Sequence, residues 1–105
     1  MNLLFQKAPQ VKEKPQDITV KEGEVAQFNC CVLSMPPPQI TWYFMGRPIA
    51  DGEIYTLNET EDGHYSLIIP EAFPEDAGVY TVRASNSLGI AEASAILTVE
   101  GECMV

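Results

Sequence analysis

Three cysteines, one histidine and fifteen carboxylates are the groups in this chain with chemistry to offer. Cys30 and Cys31 are adjacent, Cys103 lies close to the end of the sequence, and the histidine is His64. A structural zinc site draws on about four ligands at characteristic spacings, and no CxxC pair is present. Adjacent cysteines do not easily bridge to each other. An odd count with no evident pairing points to a reducing compartment. The carboxylates gather as Glu59, Glu61 and Asp62, and as Glu71, Glu75 and Asp76. A glycosidase pair needs its two carboxyls held across a cleft. These clusters fall in polar turn segments and read as solvated charge. The run Glu59-x-Glu61-Asp62 lacks the ordered spacing of a calcium loop. There is no glycine-rich phosphate loop, and serines and threonines have no base near them in sequence except His64. The residues therefore give no catalytic, cofactor or metal constellation, and the expected activity is not enzymatic.

What must position these groups is a chain of 105 residues, enough for one domain with a real core. The formal charge is −9. That balance argues against nucleic acid, whose phosphates need a basic face, and against anionic membrane surfaces. No apolar run approaches the roughly 18 residues of a membrane span. Residues 1–8 carry a short apolar patch (Leu3, Leu4, Phe5) without a basic leader, so they read as a linker or an appended segment and not as a signal peptide. Residues 101–105 read as a second linker. The domain is expected over residues 9–100.

Alternation at period two organises that domain into strands. Ala26, Phe28, Cys30 and Val32 share one face; so do Ile40, Trp42 and Phe44; so do Tyr65, Leu67 and Ile69; so do Tyr80, Val82 and Ala84. Pro36-Pro37-Pro38 must be a loop, since proline cannot donate to a central ladder. Short strands are expected at 49–50 and 54–57 around Asp51-Gly52, and a connection of one helical turn at 71–77. Seven to nine short strands with turn signals every eight to twelve residues indicate an all-β sandwich or barrel. Cys31, one residue out of phase with Cys30, is expected to point outward as a spectator thiol.

Gly23, Cys30 seven positions on and Trp42 twelve beyond that, followed by Asp76-Ala77-Gly78-Val79-Tyr80, resemble the immunoglobulin family. The stretches Pro15 through Gly23, Pro36-x-Pro38-x-Ile40-x-Trp42-Tyr43, Tyr65 through Ile69 and Ala84-Ser85-Asn86-Ser87-Leu88-Gly89 are similar to its intermediate (I-set) type. They are most like the modules of titin, obscurin, twitchin, the myosin-binding proteins and myomesin. The resemblance implies an immunoglobulin-like two-sheet Greek-key sandwich of I-set type. In it, Cys30, Trp42, Leu67, Asp76, Gly78, Tyr80 and Val82 are the structural signature. Trp42 would fill the space between the sheets, and the Tyr80 hydroxyl would bond back to nearby backbone. Asp76 would pair with a basic residue, for which Arg47 is the candidate.

One departure carries information. The family pattern places a second cysteine where this chain has Val82, so Cys30 has no partner across the core. A cross-link usually worth about 2–4 kcal/mol is missing. Inside a cell that bond would stay reduced in any case. The resemblance thus implies a mechanical and protein-binding module of a large cytoplasmic, sarcomeric filament protein. Its partners would be neighbouring immunoglobulin-like modules and other sarcomeric or cytoskeletal proteins. Ile18 and Val20 would run beside Leu97 and Val99 and carry the load. The rival readings are a recognition module of a cell-surface adhesion molecule or receptor, and a module flanking an intracellular kinase. Asn58-Glu59-Thr60 is a glycosylation acceptor triplet and would be used only outside the cytosol.

Overall fold

A computed structural model describes residues 6–101. Residues 1–5 and 102–105, which include most of the two linker segments and Cys103, lie outside the described residues. Among the described residues nine strands follow one another: β1 Lys7–Glu13, β2 Ile18–Lys21, β3 Ala26–Met35, β4 Gln39–Phe44, β5 Arg47–Pro48, β6 Thr56–Glu59, β7 His64–Ile69, β8 Gly78–Asn86 and β9 Gly89–Glu100. A 3-10 turn, Pro74–Asp76, links β7 to β8. The strands form two sheets, ordered β1-β3-β7-β6 and β2-β9-β8-β4-β5. All pairings are antiparallel except β2 with β9, which is parallel.

The alternation seen in the sequence is the reason for this layering. Ala26, Phe28, Cys30 and Val32 of β3 are buried, while Gln27 and Asn29 between them are exposed. Tyr65, Leu67 and Ile69 of β7 stand on the same side and meet Trp42, Tyr80, Val82, Ala84, Ala95 and Leu97 from the other sheet. Trp42 is only 2% exposed and sits beside Val82 in the β4–β8 register. Cys30 is a free thiol in this cluster. Burial, and then the neighbouring Cys31, push its pKa up to about 11. At neutral pH it is a protonated, unreactive packing group.

The corner before β8 is held by two hydrogen bonds of opposite sense. The Tyr80 hydroxyl donates to the Asp76 carbonyl at 2.6 Å. The Asp76 carboxylate accepts the Phe73 N–H at 2.8 Å and so closes the 3-10 turn. The Tyr80 ring lies between Phe28 and Phe44, with centroids 5.1 and 4.8 Å away. The pairing expected between Asp76 and Arg47 is not formed. The Asp76 carboxylate is spent on its own turn, and Arg47 is exposed in β5 opposite Phe44. Gly78 is glycine because of its backbone conformation. Its φ is +148°, and a Cβ there would stand 2.8 Å from the Met45 sulfur and 3.1 Å from the Phe44 ring.

Other boundaries also shift. Lys7 and Ala8 belong to β1 and not to the leading segment. The strand expected at 49–50 is instead the two-residue β5 at Arg47–Pro48. Residues 51–54 are bends, and the next strand, β6, runs two residues later than expected. Asp51 explains the delay, since its carboxylate accepts the Leu57 N–H at 2.8 Å and bends the chain before β6.

Replacing the buried corner tyrosine tests this account. Tyr80→Phe keeps the ring and leaves the Asp76 carbonyl without its donor. It is expected to cost about 1–3 kcal/mol. The readout is the midpoint of urea unfolding, with the slope unchanged.

Candidate functional site: the terminal strand pair

The second strand, β2, and the last, β9, form the parallel pair, while β1 before them is held on β3 in the other sheet. Ile18, Thr19, Val20 and Lys21 of β2 stand opposite Leu97, Thr98, Val99 and Glu100 of β9. Ile18, Val20 and Val99 are half-buried and pack on the core, while Leu97 is fully inside it. Apolar packing therefore fixes the register of the hydrogen-bonded ladder, because a slip of β2 by one residue would turn Ile18 and Val20 outward.

Both ends of the pair are fastened. At the start, the Asp17 carboxylate accepts the Ile96 N–H at 2.8 Å, taking the place of a ladder carbonyl. At the far end the Glu22 N–H donates to the Glu100 carbonyl at 2.8 Å. The chain then turns and is held again: Lys21 N–H to the Glu24 carboxylate at 2.7 Å, Gly23 N–H to the Ala72 carbonyl at 2.7 Å, and Ala72 N–H to the Glu24 carbonyl at 2.9 Å. The β2 exit is thereby tied to the connection after β7. At the opposite end of the domain, the Asn86 amide donates to the Lys7 carbonyl at 2.8 Å, to the Ser34 hydroxyl at 2.9 Å and to the Pro36 carbonyl at 3.1 Å. It accepts the Leu88 N–H at 2.8 Å. One side chain thus pins the start of β1 and the loop after β3 to the β8–β9 hairpin.

The residues singled out in the sequence fall into three places. Cys30, Trp42, Leu67, Tyr80 and Val82 meet in the core, with Asp76 and Gly78 at its corner. Ile18, Val20, Leu97 and Val99 form the terminal pair. Asn58 stands apart, exposed on the edge strand β6. Asp17 and Asn86 were missed as fasteners. Each is a short polar residue next to a strand end or turn, where a side chain readily substitutes for backbone, and that was the available signal. Cys31 belongs to the outer row of β3, as expected, but it is covered there. It is 5% exposed, on the outer face of β3 and beneath Glu13 and His64 of the flanking strands.

Two sheets with one parallel terminal pair, a tyrosine corner and a tryptophan between the sheets define an immunoglobulin-like sandwich. Immunoglobulin I-set domain is the family that matches, over residues 9–99, and the chain belongs to it. Nexilin of Rattus norvegicus is 40% identical over 93 residues, which cover 89% of this chain and 14% of that protein. Smooth muscle myosin light chain kinase of Gallus gallus is 37% identical over 97 residues, covering 92% of this chain and 5% of the kinase. Among solved structures, a chain of a titin and obscurin-like 1 immunoglobulin complex superposes with a TM-score of 0.90 at 32% identity, over 94% of this chain and 99% of that one. A titin fragment in complex with telethonin gives 0.88 at 35% identity, over 93% of this chain and 49% of that one. The chain spans only a small share of the length of nexilin and of the kinase.

The fastening at Asp17 is open to direct measurement. Asp17→Ala removes the acceptor for Ile96 N–H and is expected to cost about 1 kcal/mol. Amide exchange at Ile96 should quicken, while exchange at the core amides of β3 and β7 should slow or quicken only with global stability.

Proposed function

We propose that this module bears load and binds protein partners within a large muscle or cytoskeletal filament protein inside the cell, in line with other modules of its kind. The observation that carries the reading is the parallel pairing of β2 with β9. A pull on the two ends of the domain meets the β1–β3 pairing first and, once that yields, draws β2 and β9 in opposite directions along their common axis. The ladder bonds are then loaded together and must fail together. Resistance is a matter of the unfolding barrier and not of equilibrium stability.

Three further observations support the reading. Cys30 is a free thiol buried in the core, and Val82 stands where a partner cysteine would be needed. The domain is thus built without the cross-link that modules outside the cell ordinarily use. The relatives are muscle and cytoskeletal proteins. The solved neighbours include titin modules bound to another immunoglobulin module or to telethonin. For this chain, docking would use the open sheet edges at β6 and β5 or the acidic surface, and its partners would be neighbouring modules and other sarcomeric proteins.

The ladder repeats every two residues, so the edge of β2 that presents the Glu22 N–H to β9 also presents that of Val20. Val20→Pro removes that donor. In single-molecule pulling from the termini, the variant should unfold at lower force, with a rate at fixed force raised roughly fivefold for about 1 kcal/mol of barrier lost. An unchanged force would sink the mechanism. The cellular setting is tested by peptide mass spectrometry of the native protein from its tissue. The expected result is a free Cys30 thiol and an unmodified Asn58. Sugar on Asn58 would instead establish the adhesion or receptor reading.

A further inference from the structure

Cys31 is buried although its side chain belongs to the outer row of β3, away from the core cluster. What covers it is chemical. Across the sheet, its neighbours are Glu13 on β1 and His64 on β7. The Cys31 sulfur, a Glu13 carboxylate oxygen and a His64 imidazole nitrogen all lie within 4.8 Å of one another. Three adjacent strands thus each present one metal-ligating side chain at the same level of the sheet.

Two backbone devices create this row. Val11 stands opposite Val32, but Glu13 stands opposite Cys31, so β1 carries one extra residue between them. Without this bulge, regular antiparallel pairing would set Lys12 beside Cys31. The bulge replaces an ammonium with a carboxylate next to the thiol, the kind of re-aiming that bulges perform. On the other side Gly63 has a φ of +87°, and a Cβ there would meet the Val32 carbonyl at 2.6 Å. Only glycine fits so close, and the Val32 N–H donates to the Gly63 carbonyl at 2.9 Å. That approach brings His64 against β3.

The imidazole is also oriented. Asp62 Oδ1 lies 3.2 Å from His64 Nδ1, and the same carboxylate takes a hydrogen bond from the Thr60 hydroxyl. A carboxylate on one ring nitrogen is the usual support of a metal-binding histidine, and it leaves Nε2 as the donor for a cation. An open groove of about 460 Å³ runs beside the row; Glu13 and His64 line it together with Lys12 and Lys14, and Cys31 does not.

We propose that Glu13, Cys31 and His64 bind a borderline-soft divalent cation of the zinc class, with water as the fourth ligand. One sulfur, one nitrogen and one oxygen suit zinc, whereas calcium takes six to eight oxygens. Thiolate and carboxylate together balance the two positive charges. Binding releases the Cys31 thiol proton to solvent. A tetrahedral zinc holds its ligand atoms about 3.5 Å apart. Glu13 and His64 are exposed and free to close the remaining ångström, while Cys31 is fixed.

The test is titration of the full, reduced chain with cobalt(II), a spectroscopic stand-in for zinc. The expected result is one cobalt per chain, with a thiolate charge-transfer band in the near ultraviolet and intense tetrahedral bands in the visible, all displaced by zinc. Cys31→Ser should abolish the thiolate band, and Cys103→Ser should leave it unchanged. His64→Gln and Glu13→Gln lie at exposed positions, and each should weaken binding at least tenfold. They keep the test decisive if Cys31→Ser fails to fold. The proposal is overturned by the absence of a thiolate band, by a band that survives Cys31→Ser or disappears in Cys103→Ser, or by wild-type affinity in His64→Gln.

Discussion

The space between the two sheets is filled by side chains alone. Trp42 and Tyr80 are the largest of them, with Phe28, Leu67 and Val82 in the same cluster, and among the described residues no disulfide joins the sheets. Everything else in the module depends on that packing. Sheets in such sandwiches stand about 10 Å apart, and an indole and a phenol are the side chains that reach across while keeping interior density. The Tyr80 hydroxyl then does a second job, tying the base of β8 to the turn before it. Among the described residues, no buried side-chain nitrogen or oxygen is left without a partner. The core is thus consistent at both levels, apolar volume and polar satisfaction.

From that core the terminal strands take their register. Leu97 is anchored inside, and Ile18, Val20 and Val99 lean on the same cluster. The ladder between β2 and β9 is therefore not free to slide, and polar contacts at Asp17 and Glu22 close its two ends. A strand pair that cannot slip and is pulled along its length resists as a unit. Equilibrium stability and resistance to force then have different origins, one in the filled core and the other in the short parallel ladder.

Much of this was legible in the sequence, and the rest was not for identifiable reasons. The alternating residues of β3, β4, β7 and β8 reveal which face is buried, and Asp76-Ala77-Gly78-Val79-Tyr80 marks the corner, because both are local patterns. Alternation assigns Cys31 to the outer face correctly but says nothing of what lies over it. That depends on the registers of β1 and β7, and on a bulge no local pattern announces. The row of Glu13, Cys31 and His64 joins residues 18 and 33 positions apart, so no spacing rule finds it. Arg47 was a guess about a partner across space, and the Asp76 carboxylate found a nearer donor in its own turn. The segment between β4 and β6 has proline, glycine and acidic residues without alternation, so its strand boundaries were set by turn contacts such as that of Asp51.

The central claim, that load passes through β2 and β9 in shear, is tested most directly by changing the direction of pull on the unaltered fold. Force applied between the two termini loads the ladder along its axis. Force applied between a handle at exposed Glu22 and the C-terminus opens the same ladder from its shared end, one bond at a time. The account predicts a markedly higher unfolding force for the first geometry than for the second. Equal forces in the two geometries would contradict it, and would assign the mechanical barrier to some other part of the sandwich.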